Sequence, residues 1–313
     1  MFLELTKNPK LGYLDGVYLM QAALFDLETT SYNDVAPFKT QLLKWVGNKQ
    51  RFAHEIASFF PDQYETFYEP FMGSCAITAT FAPHRGVASD KFKPLVEIFQ
   101  CLKNDPELLI QWYSERYEKA NGPDRKAGYE AIKASYNANP NGADLLFLSR
   151  ACYGGVVRFR KVDGYMSTPC GAHEPIRPES FAKRAYIWRD RLKNVDFVHS
   201  SYEEMMMMAR PGDVIYCDPP YTHSQGILYG GQSFSLEHLC EIISVCKSRG
   251  VYVALSIDGT KKSGEVNCEL PIPDGLFERE IYVNCGKSML KRFQMQGKTL
   301  EGEIVADRLL LTY

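Results

Sequence analysis

From Leu43 onward the apolar positions fall into two alternating rhythms. Phe52 to Phe60 repeats at helical spacing. Thr66 to Glu69 has the length of a strand, and Pro70 to Gly73 then forces a tight turn. Ile77 to Phe81 starts a helix, Gly86 to Ser89 reads as a strand ending at Asp90, and Lys93 to Leu102 is helical. Further along, Val195 to Val198 and Asp213 to Cys217 read as apolar strands, the second stopped by two prolines. Leu236 to Ser248 is an amphipathic helix, Val251 to Ile257 a strand, and Ile304 to Thr312 an apolar closing segment. Strands alternating with helices predict an α/β fold: a doubly wound, mostly parallel sheet of the Rossmann-like kind. Such sheets bind ligands at the carboxyl ends of their strands. Gly73, Asp90 and Asp218 each come just after a predicted strand, so one site is expected to hold all three.

The rhythm breaks between residues 104 and 194. Asn121-Gly122-Pro123-Asp124 and Asn139-Pro140-Asn141-Gly142 are strong turn signals, and Arg150 to Gly171 is rich in loop residues. The expected organisation is an N-terminal extension (1–36), an α/β domain built from 37–103 and 195–313, and an inserted lobe of helices and loops (104–194). The run Met205 to Met208 is expected on a helix as core filler.

Charge changes this picture in one place. The whole chain carries a formal net charge of only −2, which does not by itself suggest a polyanionic partner. Yet Arg150 to Lys193 holds ten Lys or Arg against four Asp or Glu, so one basic lobe is set on an acidic body. The nine cysteines include no Cys-x-x-Cys pair, which argues against zinc, and no metal is expected. No charged leader with a long apolar run opens the sequence, and no 18-residue apolar stretch occurs. The expectation is a cytoplasmic protein with reduced thiols and no membrane segment.

The sharpest chemistry lies in Asp218-Pro219-Pro220-Tyr221. Two consecutive prolines fix the backbone and remove its amide donors, leaving carbonyls that can only accept. A carboxylate beside a proline carbonyl offers two acceptors to one amino group, and an exocyclic amine such as adenine N6 has two hydrogens to give. Accepting both draws the nitrogen lone pair toward an incoming electrophile. Tyr221 adds a ring face on which a base can stack.

With these residues in view, the chain resembles the Dam-type family of DNA adenine methyltransferases. Leu43-Lys44-Trp45-Val46-Gly47-Asn48-Lys49 is similar to that family's L-K-W-x-G-x-K, and Glu69-Pro70-Phe71-Met72-Gly73-Ser74-Cys75 to its E-P-F-x-G-x-G. Asp90 matches its acidic strand end, Asp218 to Tyr221 its D-P-P-Y, and Arg308-Leu309-Leu310-Leu311 its last strand. The resemblance runs from about residue 43 to the C-terminus. It implies transfer of a methyl group from S-adenosyl-L-methionine to an adenine flipped out of double-stranded DNA, leaving S-adenosyl-L-homocysteine. It implies Asp218, Pro219, Pro220 and Tyr221 as the catalytic group. It assigns Trp45, Lys49, Glu69, Phe71, Gly73, Asp90, Ser201, Tyr202 and Asp218 to the cofactor, with Lys49 on its carboxylate, Asp90 on the ribose hydroxyls, and Ser201 and Tyr202 near its adenine. Cys75 departs from the family's second glycine, and a side chain there is expected to narrow the turn.

The segment Ser149 to Gly171 is similar to the family's DNA-contacting loop, N-R-x-x-x-N-G-x-x-R-x-N followed by G-x-F and P-x-G. The resemblance implies DNA contacts by Arg150, Tyr153, Arg158, Arg160 and Lys161, with Arg158 reaching a guanine edge. Gly154 and Arg160 stand where the family has Asn, so the target is expected to differ from GATC. A cognate restriction endonuclease is a compatible partner. Two other readings compete: an RNA guanine-N2 methyltransferase, which also carries D-P-P-[YF], and a catalytically silent DNA-binding protein. A cytosine-N4 methylase commonly has Ser in place of the Asp.

Overall fold

The computed structural model describes residues 34–220, 234–261, 266–267, 271–287 and 304–313. The expected extension therefore falls almost wholly outside the described residues, as does Tyr221. Among the described residues eight strands form one sheet: β1 (Phe67–Glu69), β2 (Gly86–Asp90), β3 (Val195–His199), β4 (Val214–Cys217), β5 (Tyr252–Lys261), β6 (Val266–Asn267), β7 (Arg279–Lys287) and β8 (Ile304–Leu311). The order is β3-β2-β1-β4-β5-β8-β7, with β6 paired to β5. Neighbours from β3 through β5 are parallel, while β8 runs antiparallel to both β5 and β7. The pattern predicted the parallel half and β8; β7 carries no signal in the sequence reading.

β1 lies between β2 on one side and β4 on the other, so the chain winds away from β1 in both directions. A crevice opens at such a switch point, above the carboxyl ends of the strands. β4 shows why these short apolar runs become central strands. Val214 and Tyr216 pack into one buried cluster with Phe60, Phe67 and Leu309, while Ile215 and Cys217 pack into another with Leu239, Ile243 and Leu255. A strand covered on both faces needs apolar residues at every position. Helices supply the cover: α1 (Ala53–Ala57) and α2 (Ala76–Phe81) on one face, α8 (Tyr202–Met208) and α9 (Leu236–Ser248) on the other. In α8, Met205 and Met206 are the expected core filler, but Met207 and Met208 are exposed.

Between β2 and β3 the chain runs through α3 (Lys93–Asn104), α4 (Pro106–Ala120), α5 (Arg125–Ala138), α6 (Gly142–Ala151) and α7 (Pro178–Leu192). The two turn signals separate α4 from α5 and α5 from α6. Each holds a cap: Asp124 accepts from Ala127 N and Asn141 from Asp144 N, as Asp105 accepts from Leu108 N at the start of α4. These helices share one buried cluster with Ala88, Val195 and Phe197 of the sheet, so the inserted stretch and the sheet have a common core. Many of the abundant tyrosines are spent here. Tyr113 stacks on Phe181 at 4.1 Å and donates to Ile176 O at 2.7 Å, and Tyr129 donates to Thr168 O at 2.9 Å. Arg125 donates to the carbonyls of Gly171, Ala172 and His173. Buried hydroxyls and guanidinium forks thus fix the path of the loop-rich segment that follows α6.

Candidate active site

The site begins with the turn after β1. Met72 N donates to Ser89 O at 2.9 Å, tying the turn to β2. Gly73 has φ +45°, and a β-carbon there would meet the Trp45 indole at 3.6 Å. The left-handed backbone, more than lack of room, calls for glycine. Gly73 N and Phe92 N donate to the two oxygens of Asp90, at 3.1 and 2.9 Å. Burial raises the Asp90 pKa, and the amides of Phe92, Gly73 and Lys91, with His199 nearby, act against that shift. Two residues on, Cys75 is buried with φ +58° at the start of α2. The departure from glycine is thus accommodated, with a side chain in a backbone region where only glycine is free of strain.

β4 delivers Asp218, Pro219 and Pro220 to the same crevice. Lys49 Nζ lies 3.2 Å from Asp218 Oδ1 and 2.8 Å from Asp307 Oδ2 on β8. Burial opposes the lysine charge, but the two carboxylates outweigh it and hold its pKa well above the ordinary value. Lys49 thus lines the cavity with its ammonium between two protein carboxylates, and its expected role at a cofactor carboxylate draws on the remaining N–H. Beneath them Glu69 accepts from the Thr78 amide at 3.2 Å and from the Thr78 hydroxyl. Burial pushes its pKa up to about 8 against those hydrogen bonds, and the charges of Asp218 and Asp90 add to the rise.

Aromatic rings wall the crevice. Trp45 stacks on Phe92 at 6.3 Å, and Phe92 meets Phe159 edge-on at 5.5 Å. On the opposite side Phe71 stacks on Tyr202 at 5.0 Å. Ser201 lines the crevice too, but its hydroxyl caps α8, where it accepts from Glu204 N at 3.3 Å in a capping box. Together these residues enclose a cavity of about 710 Å³, within the usual range for ligand sites.

The loop after α6 folds back as a hairpin over this cavity. Cys152 pairs with Cys170 and Phe159 with Met166, and the tip runs from Arg160 to Tyr165. Phe159, Arg160, Lys161 and Tyr165 line the same cavity as Asp90 and Asp218. Gly155, with φ +67°, sits so close to Lys44 that a β-carbon would meet its side chain at 2.9 Å. The hairpin base therefore rests directly on the Leu43–Lys49 segment.

Among the five residues expected at DNA, the structure separates roles that the sequence reading grouped. Tyr153 is exposed at the hairpin base, and Lys161 is exposed at its tip. Arg158 is half-buried, its amide donating to Thr168 Oγ1 at 2.8 Å. Arg160 is exposed but pairs bidentately with Asp163, at 3.0 and 2.5 Å, and lies over the Tyr165 ring. Arg150 is a correction: only 5% exposed, it donates to Leu42 O at 2.7 Å and Gln41 O at 3.2 Å. A side chain buried against backbone carbonyls does not reach a phosphate. The reading also missed Phe92 and Asp307. Phe92 had a weak signal, two residues past the acidic strand end; Asp307 had none, being 258 residues from the lysine it pairs with.

A sequence model described as "D12 class N6 adenine-specific DNA methyltransferase" matches residues 45–273. The chain is 30% identical to the retron Ec67 DNA adenine methylase of Escherichia coli over 233 residues, covering 70% of this chain and 77% of that one. It is 26% identical to the DNA adenine methylase of Vibrio cholerae, covering 68% and 79%. It is also 26% identical to the type II methyltransferase M.FokI of Planomicrobium okeanokoites, covering 68% of this chain and 35% of that one.

Proposed function

The chain belongs to the D12 class N6 adenine-specific DNA methyltransferase family, and from that premise we propose how its residues divide the work. The observation that carries the reading is that Asp90, Asp218–Pro220 and the hairpin tip all line one cavity. S-adenosyl-L-methionine supplies an electrophilic methyl on a cationic sulfonium. The chain offers a fitting bed: a tight turn at Gly73 under the Trp45 ring, the Asp90 carboxylate at the end of β2, and the Asp218 carboxylate with Glu69 beneath it. Asp90 holds the ribose hydroxyls, Trp45 and Gly73 seat the ligand, and the Phe71–Tyr202 pair flanks its adenine.

Asp218 and the Pro219 carbonyl receive the two hydrogens of the target amine and orient its nitrogen toward the methyl. Tyr221 stacks on the base. Catalysis then rests on positioning and on preorganised acceptors. A stacked adenine cannot reach a crevice at the strand ends, so the base leaves the duplex. Residues 37–103 and 195–313 serve the cofactor and the chemistry, and 104–194 the DNA. Within that stretch Tyr153, Arg158 and Lys161 face the duplex, Arg158 reading a base edge. The residue changes at Gly154 and Arg160 point to a target other than GATC. A cytoplasmic location and a cognate endonuclease are compatible with this reading.

The test is direct. Purified protein is incubated with methyl-labelled S-adenosyl-L-methionine and duplex DNA, and the DNA is digested to nucleosides. Label in N6-methyladenine is the expected outcome; label in cytosine, or transfer only to RNA, would contradict the assignment.

A further inference from the structure

Lys49 joins two carboxylates that the sequence keeps far apart. Asp218 stands at the end of β4, at the cavity; Asp307 lies on β8, with β5 between the two strands. Asp307 is 7% exposed and falls outside the segment 45–273 that the family sequence model matches. Burying a carboxylate is costly unless it is paired and hydrogen-bonded, and its 2.8 Å contact with Lys49 meets that need. The shorter of the two lysine contacts therefore belongs to the residue that does not line the cavity.

We propose that Asp307 is a positioning residue for methyl transfer, which draws Lys49 back so that the lysine orients Asp218 without neutralising it. The proposal rests on the reading of Asp218 as acceptor of the adenine amine. One ammonium shared by two carboxylates leaves the trio with a net charge of −1. Asp218 then keeps acceptor strength for the amine, and the site keeps a negative charge facing a cationic methyl donor. Were Lys49 to serve Asp218 alone, the pair would be neutral, and the ammonium would close on the Asp218 oxygen that it now meets at 3.2 Å. Two anchors also fix the lysine head group, so the Asp218 carboxylate has one preferred orientation.

The test measures single-turnover methylation of duplex DNA and calorimetric cofactor affinity for wild type, Asp307→Asn, Asp307→Glu, Lys49→Gln and Lys49→Gln/Asp307→Asn, with Asp218→Ala as reference. Asp307→Asn is expected to slow transfer about tenfold or more while cofactor affinity stays within about twofold. Asp307→Glu, which keeps the charge but moves it, should fall between Asn and wild type. In the Lys49→Gln background Asp307→Asn should cost nothing further, because Asp307 acts through Lys49. A wild-type rate for Asp307→Asn, or an equal loss in both backgrounds, would overturn the proposal. If Asp307→Asn fails to bind cofactor, Asp307→Glu decides: slower transfer at unchanged affinity supports the role, and a wild-type rate removes it. If Asp218→Ala keeps more than about a tenth of the rate, the reading of Asp218 itself has failed; if only Asp307→Asn is silent, that reading stands and this one falls.

Discussion

The strand ends and the basic stretch Arg150 to Lys193 use their ionisable groups in opposite ways. At the strand ends, Glu69, Asp90 and Asp218 line an open cavity. In the basic stretch, several arginines turn inward and hold the chain itself. Arg150 and Arg184 both donate to Gln41 O, Trp188 Nε1 donates to Thr40 O, and Arg191 lies over Phe38 while donating to the carbonyls of Ala79 and Thr80. Together they clamp residues 38–42, the lead-in to Leu43–Lys49. A count of basic residues over a segment thus overstates its electrostatic face: a guanidinium that satisfies backbone carbonyls is part of the scaffold.

Glu69 separates the two regions most clearly. Its pKa in the folded protein, about 8, stands above the ordinary 4.5, so the folded state keeps a proton that the unfolded chain releases. That contribution is fully present below about pH 4.5 and is lost as pH rises toward about 8. Glu69→Gln should flatten the fall in stability between pH 5 and 8, measured by urea unfolding at a series of pH values. A slope identical to wild type would place the Glu69 proton elsewhere.

Arg150→Ala comes next. Losing a buried guanidinium and its carbonyl contacts should lower stability by about 2–4 kcal/mol, seen as a drop in melting temperature. If Arg150→Ala instead left melting unchanged and weakened DNA binding, the clamp would be wrong. Asp90→Ala should weaken S-adenosyl-L-methionine binding by about 1–3 kcal/mol in calorimetry with no DNA present. Unchanged affinity would move the cofactor site off β2. Lys161→Ala, at the exposed hairpin tip, should have the smallest effect. Stability should change by less than about 0.5 kcal/mol, and the salt slope of DNA binding should shrink by about one. A large stability loss there would make the hairpin tip structural, like Arg150.

The parallel half of the sheet was legible because each central strand is buried on both faces and is followed by a turn, as in Val214–Cys217 before Asp218-Pro219-Pro220. The strand-end residues were legible for the same reason: local sequence places them. The partners of Arg150, Arg160 and Lys49 were not, because each is set by the fold. For Arg150 that partner is the backbone of residues 41–42, and for Lys49 it is Asp307, at the far end of the chain. Arg160 had a nearby partner in Asp163, but only the hairpin geometry brings both guanidinium contacts into reach. Strand β7 was missed because an antiparallel strand near a sheet edge needs no continuous apolar run; Tyr282 is exposed between buried Ile281 and Val283.

Chemistry belongs to the strand ends and scaffolding to the buried arginines. Single-turnover adenine methylation, cofactor affinity and melting temperature, measured together on Asp218→Ala, separate the two. Asp218→Ala should lose more than about nine-tenths of the rate, with cofactor still bound and melting little changed. Transfer at a wild-type rate would contradict that division.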